Sequence, residues 1–104
     1  MNQFIIPTNK GLKSVMTDNI IRIQASSNYC KIYFDNEYHL TVAKVLLWFE
    51  GKLPDDRFYR IHRGHIVNRK FISDISCNKI LTLANGEQLQ ISKRKRNALR
   101  KMVA

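Results

Sequence analysis

Phe58-Tyr59-Arg60-Ile61-His62-Arg63-Gly64-His65-Ile66-Val67-Asn68-Arg69-Lys70 is the stretch that decides the fold. Strand-like apolar pieces flank a polar, basic middle, His62-Arg63-Gly64-His65, so it reads as strands interrupted by a loop. The chain downstream continues in the same period. Residues 71–77 and 80–84 read as strands, Asn85-Gly86 is a strong hairpin signal, and 87–91 pairs back.

Upstream the pattern is similar. Residues 4–6 form a short apolar strand ended by Pro7. A turn at Asn9-Lys10-Gly11 leads into 12–16, and Asp18-Asn19 turns the chain again. Residues 20–25 read as a strand and Ser26-Ser27-Asn28 as a loop. From Tyr29 the alternation is clean, with Cys30, Ile32 and Phe34 on one face and Tyr29, Lys31 and Tyr33 on the other. Asp35-Asn36-Glu37 is hairpin-like, and 38–40 returns.

The period changes once in the middle. Val42, Val45, Leu46, Phe49 and Leu53 fall on one helical face, with Thr41 as N-cap, Gly51 just past the C-terminus and Pro54 as a stop. That predicts a short helix packed on a sheet. The tail, 92–104, is helix-prone, with Leu99, Met102 and Val103 on one face. The tally is roughly seven to ten short strands with one or two helices, a mainly β class. No repeat, low-complexity stretch or interdomain linker divides the chain, so 1–104 is expected to be a single domain.

With 104 residues, 44% of them hydrophobic, the chain can bury a core. No apolar run approaches the roughly 18 residues of a membrane span. The start has no basic segment or long apolar stretch, so no signal peptide is expected. Cys30 and Cys77 are too few for a disulfide framework and are expected to be reduced, half-buried thiols of a cytoplasmic protein.

Eighteen Lys and Arg against eight Asp and Glu give a net charge of +10. Such an excess favours a polyanionic partner, nucleic acid first and an anionic membrane surface second. Arg57, Arg60, Arg63, Arg69 and Lys70 form one cluster; Lys93, Arg94, Lys95, Arg96, Arg100 and Lys101 form another. If Ser92 caps the last helix, Lys93 to Arg96 fill its first turn. Cations there oppose the helix dipole by about 0.3–1 kcal/mol each, which a bound polyanion would reverse. Three polar loops, Ser26-Ser27-Asn28, His62-Arg63-Gly64-His65 and Ser92-Lys93-Arg94, carry residue types that read base edges, Asn for adenine and Arg for guanine.

The run from Phe58 to Asn68 resembles the signature of the LytTR DNA-binding domain, a Phe-x-Arg-x-His-Arg-Ser-x-Ile-Val-Asn pattern. Asn19-Ile20-Ile21-Arg22-Ile23-Gln24-Ala25-Ser26-Ser27-Asn28-Tyr29 is similar to the family's opening, and Asn85-Gly86-Glu87-Gln88-Leu89-Gln90-Ile91-Ser92-Lys93-Arg94 to its closing stretch. The resemblance implies about ten short strands in small antiparallel sheets, one or two short helices and no recognition helix. It implies a bacterial transcription regulator, or the effector domain of a response regulator, whose loops enter successive major grooves at direct repeats in promoters. Direct repeats imply two copies on double-stranded DNA, which allows a homodimer there. Carried over residue by residue, Asn28, Arg63 and Arg94 become base readers. Tyr29, His62, Arg69, Lys93 and Arg96 become phosphate or supporting contacts. Gly64 departs from the usual Ser and is expected to loosen its loop, and Gln24 departs from the usual Glu. The 104 residues leave no room for the receiver domain that the resemblance implies for many relatives, so a stand-alone regulator or an excised effector domain is expected.

Other readings compete. Tyr29, Tyr33 and Tyr38 suggest a stacking platform for RNA or single strands, while a protein-interaction module needs no DNA reading at all. His62 and His65 form His-x-x-His, weak evidence for zinc without a further ligand, so no metal or cofactor is expected. Asn68 is expected to tie down a turn. No Ser-His-Asp or paired-carboxylate arrangement marks an enzyme, and neither a small-molecule substrate nor a membrane partner is expected.

Overall fold

The computed structural model describes residues 3–103, with side chains placed for 3–100. The side chains of Met102 and Val103, expected beside Leu99, lie outside the described residues. The order is β1 (Gln3–Thr8), β2 (Gly11–Met16), β3 (Ile20–Ser26), β4 (Tyr29–Phe34), β5 (His39–Val42), α1 (Leu46–Glu50), β6 (Phe58–His62), β7 (His65–Asn68), β8 (Ile72–Ser76), β9 (Ile80–Leu83), β10 (Gln88–Gln90) and α2 (Arg96–Val103). Short 3₁₀ turns precede β3, β8 and α2.

The strands form three antiparallel sheets. One is the β1-β2 hairpin, one has the order β5-β4-β3-β7-β6, and one has the order β10-β9-β8. Alternation along the central five strands sends side chains to two separate cores. Ile20, Ile23, Cys30, Ile32, Phe34, Phe58 and Ile66 pack with β1, β2 and α1. Ile21, Tyr59, Ile61 and Val67 face the other way and pack with Leu81, Leu83, Ile91 and Leu99. Ile20, Ile23, Ile32, Ile61 and Ile66 are buried at no more than 1% exposure. Each such side chain contributes roughly 1.5–3 kcal/mol relative to exposure.

Several expectations are corrected. Pro7 does not end β1 but pairs with Leu12 inside it. The hairpin stands as its own two-stranded sheet, so β1 has an open edge, where a missing N–H costs nothing. The middle helix is only five residues long. Thr41 and Val42 belong to β5, opposite Lys31 and Cys30, and Val45 precedes the helix without a side-chain cap. Val42, Leu46, Phe49 and Leu53 do share one core, but they reach it from a strand, a helix and a loop. Ser92 likewise caps nothing with its side chain. Lys93–Lys95 form a 3₁₀ turn and α2 begins at Arg96, so only Arg96 stands in the first helical turn. The two cysteines are unpaired. Cys30 is buried, burial pushing its thiol pKa up, while Cys77 is exposed in a turn.

Candidate nucleic-acid interface

Topology brings the three polar loops to one end of the central sheet. Asn28 lies in the tight turn between β3 and β4, where Ser26 pairs with Tyr29. Arg63 lies in the turn between β6 and β7. Because Gln24 of β3 pairs with His65 of β7, both turns point the same way. A hydrogen bond from Ala25 N to the Gly64 carbonyl, at 2.9 Å, joins them. On the far side of β6, the Ser92 N–H donates to the Ile61 carbonyl at 2.8 Å, which places Lys93 and Arg94 beside the Arg63 turn. Arg60, His62, Arg63, Ser92, Arg94 and Lys95 line one open groove, with Glu50 the one carboxylate among the described residues that line it.

Asn28, Arg63 and Arg94 are all exposed, and their side chains form no hydrogen bond or ion pair with the described residues. Ser27, in the Asn28 turn, has φ 58°, a left-handed conformation unusual for serine. The Gly64 N–H donates to His62 Nδ1 at 3.0 Å, which leaves the ring proton on Nε2. Gly64 has no left-handed φ, and a Cβ there would meet His62 Nδ1 at 3.4 Å, an ordinary contact. The loop therefore has room for the serine usual at this position. Asn68 is buried. Its amide donates to the Ile20 carbonyl at 2.8 Å and its Oδ1 accepts from Lys70 N at 3.0 Å, so it does tie down a turn.

The remaining expected contacts divide. Tyr29 is 51% exposed beside the Asn28 turn. His62, Lys93 and Arg96 line a second depression next to the groove, and Arg96 Nε also reaches the Ile91 carbonyl at 3.4 Å. Arg69 is not brought to this end. It follows Asn68 at the opposite end of β7, grouped with Arg57 and Lys70. Of the three tyrosines, Tyr33 and Tyr38 have ring faces occupied from within the protein. The Arg22 guanidinium lies 3.9 Å from the Tyr33 ring centroid, and Tyr38 packs on Phe34 while its hydroxyl accepts from Lys13.

The bracing roles of two arginines are not read from the sequence. Arg22, only 7% exposed, donates to both carboxylate oxygens of Glu87, at 3.3 and 3.0 Å. Its Nη1 also donates to Gln24 Oε1 at 2.7 Å and lies 3.1 Å from His65 Nε2. These bonds tie the β9-β10 turn to the central sheet. The Arg22 hydrogen bonds hold the Glu87 carboxyl below its usual pKa. Burial first, and then the Arg22 charge, pushes His65 down to about 4, so its neutral ring accepts from Arg22. At this corner the Gln24 amide oxygen accepts from Arg22, and the carboxylate is that of Glu87. The second arginine, Arg60, braces the Arg63 turn. The one available signal for Arg22 was its place between isoleucines in an apolar strand; Glu87 is too distant in sequence to be paired with it.

The family model of the LytTr DNA-binding domain matches residues 10–104. The chain belongs to the LytTR DNA-binding domain family. It is 32% identical over 74 residues to the sensory transduction protein LytT of Bacillus subtilis (strain 168), a match covering 67% of this chain and 30% of that protein. The LytTR chain thus spans less than a third of that relative's length. A solved LytTr DNA-binding domain from Bacillus cereus, from a protein described as a methyl-accepting/DNA response regulator, superposes with a TM-score of 0.83 at 26% identity. That match covers 100% of this chain and 98% of the other. The mainly β fold expected from the LytTR resemblance is the fold found. The matched family is one of DNA-binding domains. No helix among the described residues is long and apolar enough to cross a membrane.

Proposed function

We propose that the chain is the DNA-reading domain, one domain over 1–104, of a cytoplasmic bacterial transcription regulator. It binds double-stranded DNA sequence-specifically at direct repeats, with loops entering successive major grooves and two copies on one site. Asn28, Arg63 and Arg94 read base edges, while Tyr29, His62, Lys93 and Arg96 hold the backbone or support the readers. The observation that carries this reading is the convergence of three loops, each with an exposed and unpaired base-reading side chain, on one end of the sheet. Arg69, at the other end of the sheet, is left out of this contact. The covered faces of Tyr33 and Tyr38 argue against a single-strand platform.

The test is Arg63→Ala on a selected duplex and on a scrambled one. Loss of a base reader costs roughly 1–3 kcal/mol on the selected duplex and little on the scrambled one. Equal losses on both would reduce Arg63 to a phosphate contact.

A further inference from the structure

We propose that Arg60 is a positioning residue that sets sequence discrimination by holding the Arg63 turn from within the protein. This rests on Arg63 being a base reader. Arg60 is on β6, and its side chain is 22% exposed. The β6-β7 ladder is irregular between Arg60 and His62, so regular strand pairing lapses just before the turn. Arg60 supplies donors there. Nη2 donates to the Arg63 carbonyl at 2.8 Å, and Nε to the His62 carbonyl at 3.4 Å. Nη1 is engaged by Glu50 Oε1 at 2.8 Å. All three guanidinium nitrogens therefore have partners within the protein, two of them on the backbone of the reading turn.

Glu50 explains the arrangement. A groove built only for phosphate gains nothing from a carboxylate, yet Glu50 lines it with His62, Arg63, Arg94 and Lys95. Its carboxylate engages Arg60 Nη1 and anchors it to the end of α1. Arg60 thus joins the first core, through α1, to the turn that carries Arg63. Within the turn the His62 ring accepts from Gly64 N–H, which adds a further tie to the same backbone. Lysine keeps the charge of Arg60 but has a single nitrogen, which cannot span two carbonyls and a carboxylate.

The experiment compares wild type, Arg60→Lys, Arg60→Gln and Glu50→Gln on a selected and a scrambled duplex across a salt series. Positioning predicts that each variant loses roughly tenfold of the affinity gap between the two duplexes. The loss falls at the base pair read by Arg63, and the Arg60→Lys salt slope matches wild type. In an Arg63→Ala background, Arg60→Lys removes no further discrimination. The proposal is overturned if Arg60→Lys keeps the whole gap while Arg60→Gln weakens both duplexes equally, its salt slope smaller by about one phosphate. If Arg60→Gln does not fold, Arg60→Lys and Glu50→Gln decide the matter by the same criteria. A wild-type chain with no gap between duplexes overturns the Arg63 assignment and this proposal together; a wild-type gap that all three variants retain overturns this proposal alone.

Discussion

Acid should unfold this domain early, and His65 is the reason. Its pKa of about 4 in the fold compares with 6.5 for a free imidazole. The depressed value means that the unfolded chain takes up the proton first as pH falls. His65 therefore contributes stability that is fully present above about pH 6.5 and is lost as pH falls toward about 4. Between pH 7.5 and pH 5 the loss from this one group is at most about 2 kcal/mol, worked from the two pKa values at 1.36 kcal/mol per unit. Glu87, also depressed, follows the same sign but acts only below the ordinary carboxylate range. The assay is urea unfolding at half-unit pH steps, for wild type and His65→Gln. The glutamine amide can still accept from Arg22 but does not titrate, so the variant should keep a nearly flat stability between pH 7.5 and 5. Identical acid dependence in the two proteins would refute this account of the Arg22 network.

Two more perturbations follow from the same geometry. Asn68→Ala removes a buried amide and leaves the Ile20 carbonyl and Lys70 N–H without those partners, so urea unfolding should show a loss of about 2–3 kcal/mol. Ser27→Gly relieves the left-handed serine and should raise stability by about 0.5–1 kcal/mol, while the freer turn weakens discrimination at the base read by Asn28. Thermal melts and duplex competition check the two halves of that statement.

The strands were legible because each buries one face, and a half-buried strand writes period two into its sequence. β4 shows this plainly, with Cys30, Ile32 and Phe34 buried and Tyr29 exposed. The helix boundaries were not legible. Val42 and Leu53 match a helical period around α1 only because three different segments converge on one core. Pro7 misled because whether proline ends a strand depends on which edge is paired, a property of the sheet and not of the residue. The loops that carry Asn28, Arg63 and Arg94 were visible from their chemistry. Their gathering at one end depends on Ala25-Gly64 and Ile61-Ser92 backbone bonds, which no local pattern encodes. Arg22 and Arg60 were missed for a related reason: their roles are set by Glu87 and Glu50, distant in sequence from the sites they brace.

The most direct measurement is selection of bound sequences from a random duplex library, followed by salt titration on the winning and scrambled duplexes. The account predicts a recurring half-site in direct repeat and a large affinity gap between the two duplexes. Both should have steep salt slopes, as expected of a chain with net charge +10. Enrichment of no motif, with equal affinity for scrambled DNA, would contradict it: the cations would still bind phosphate, but the three loops would read nothing.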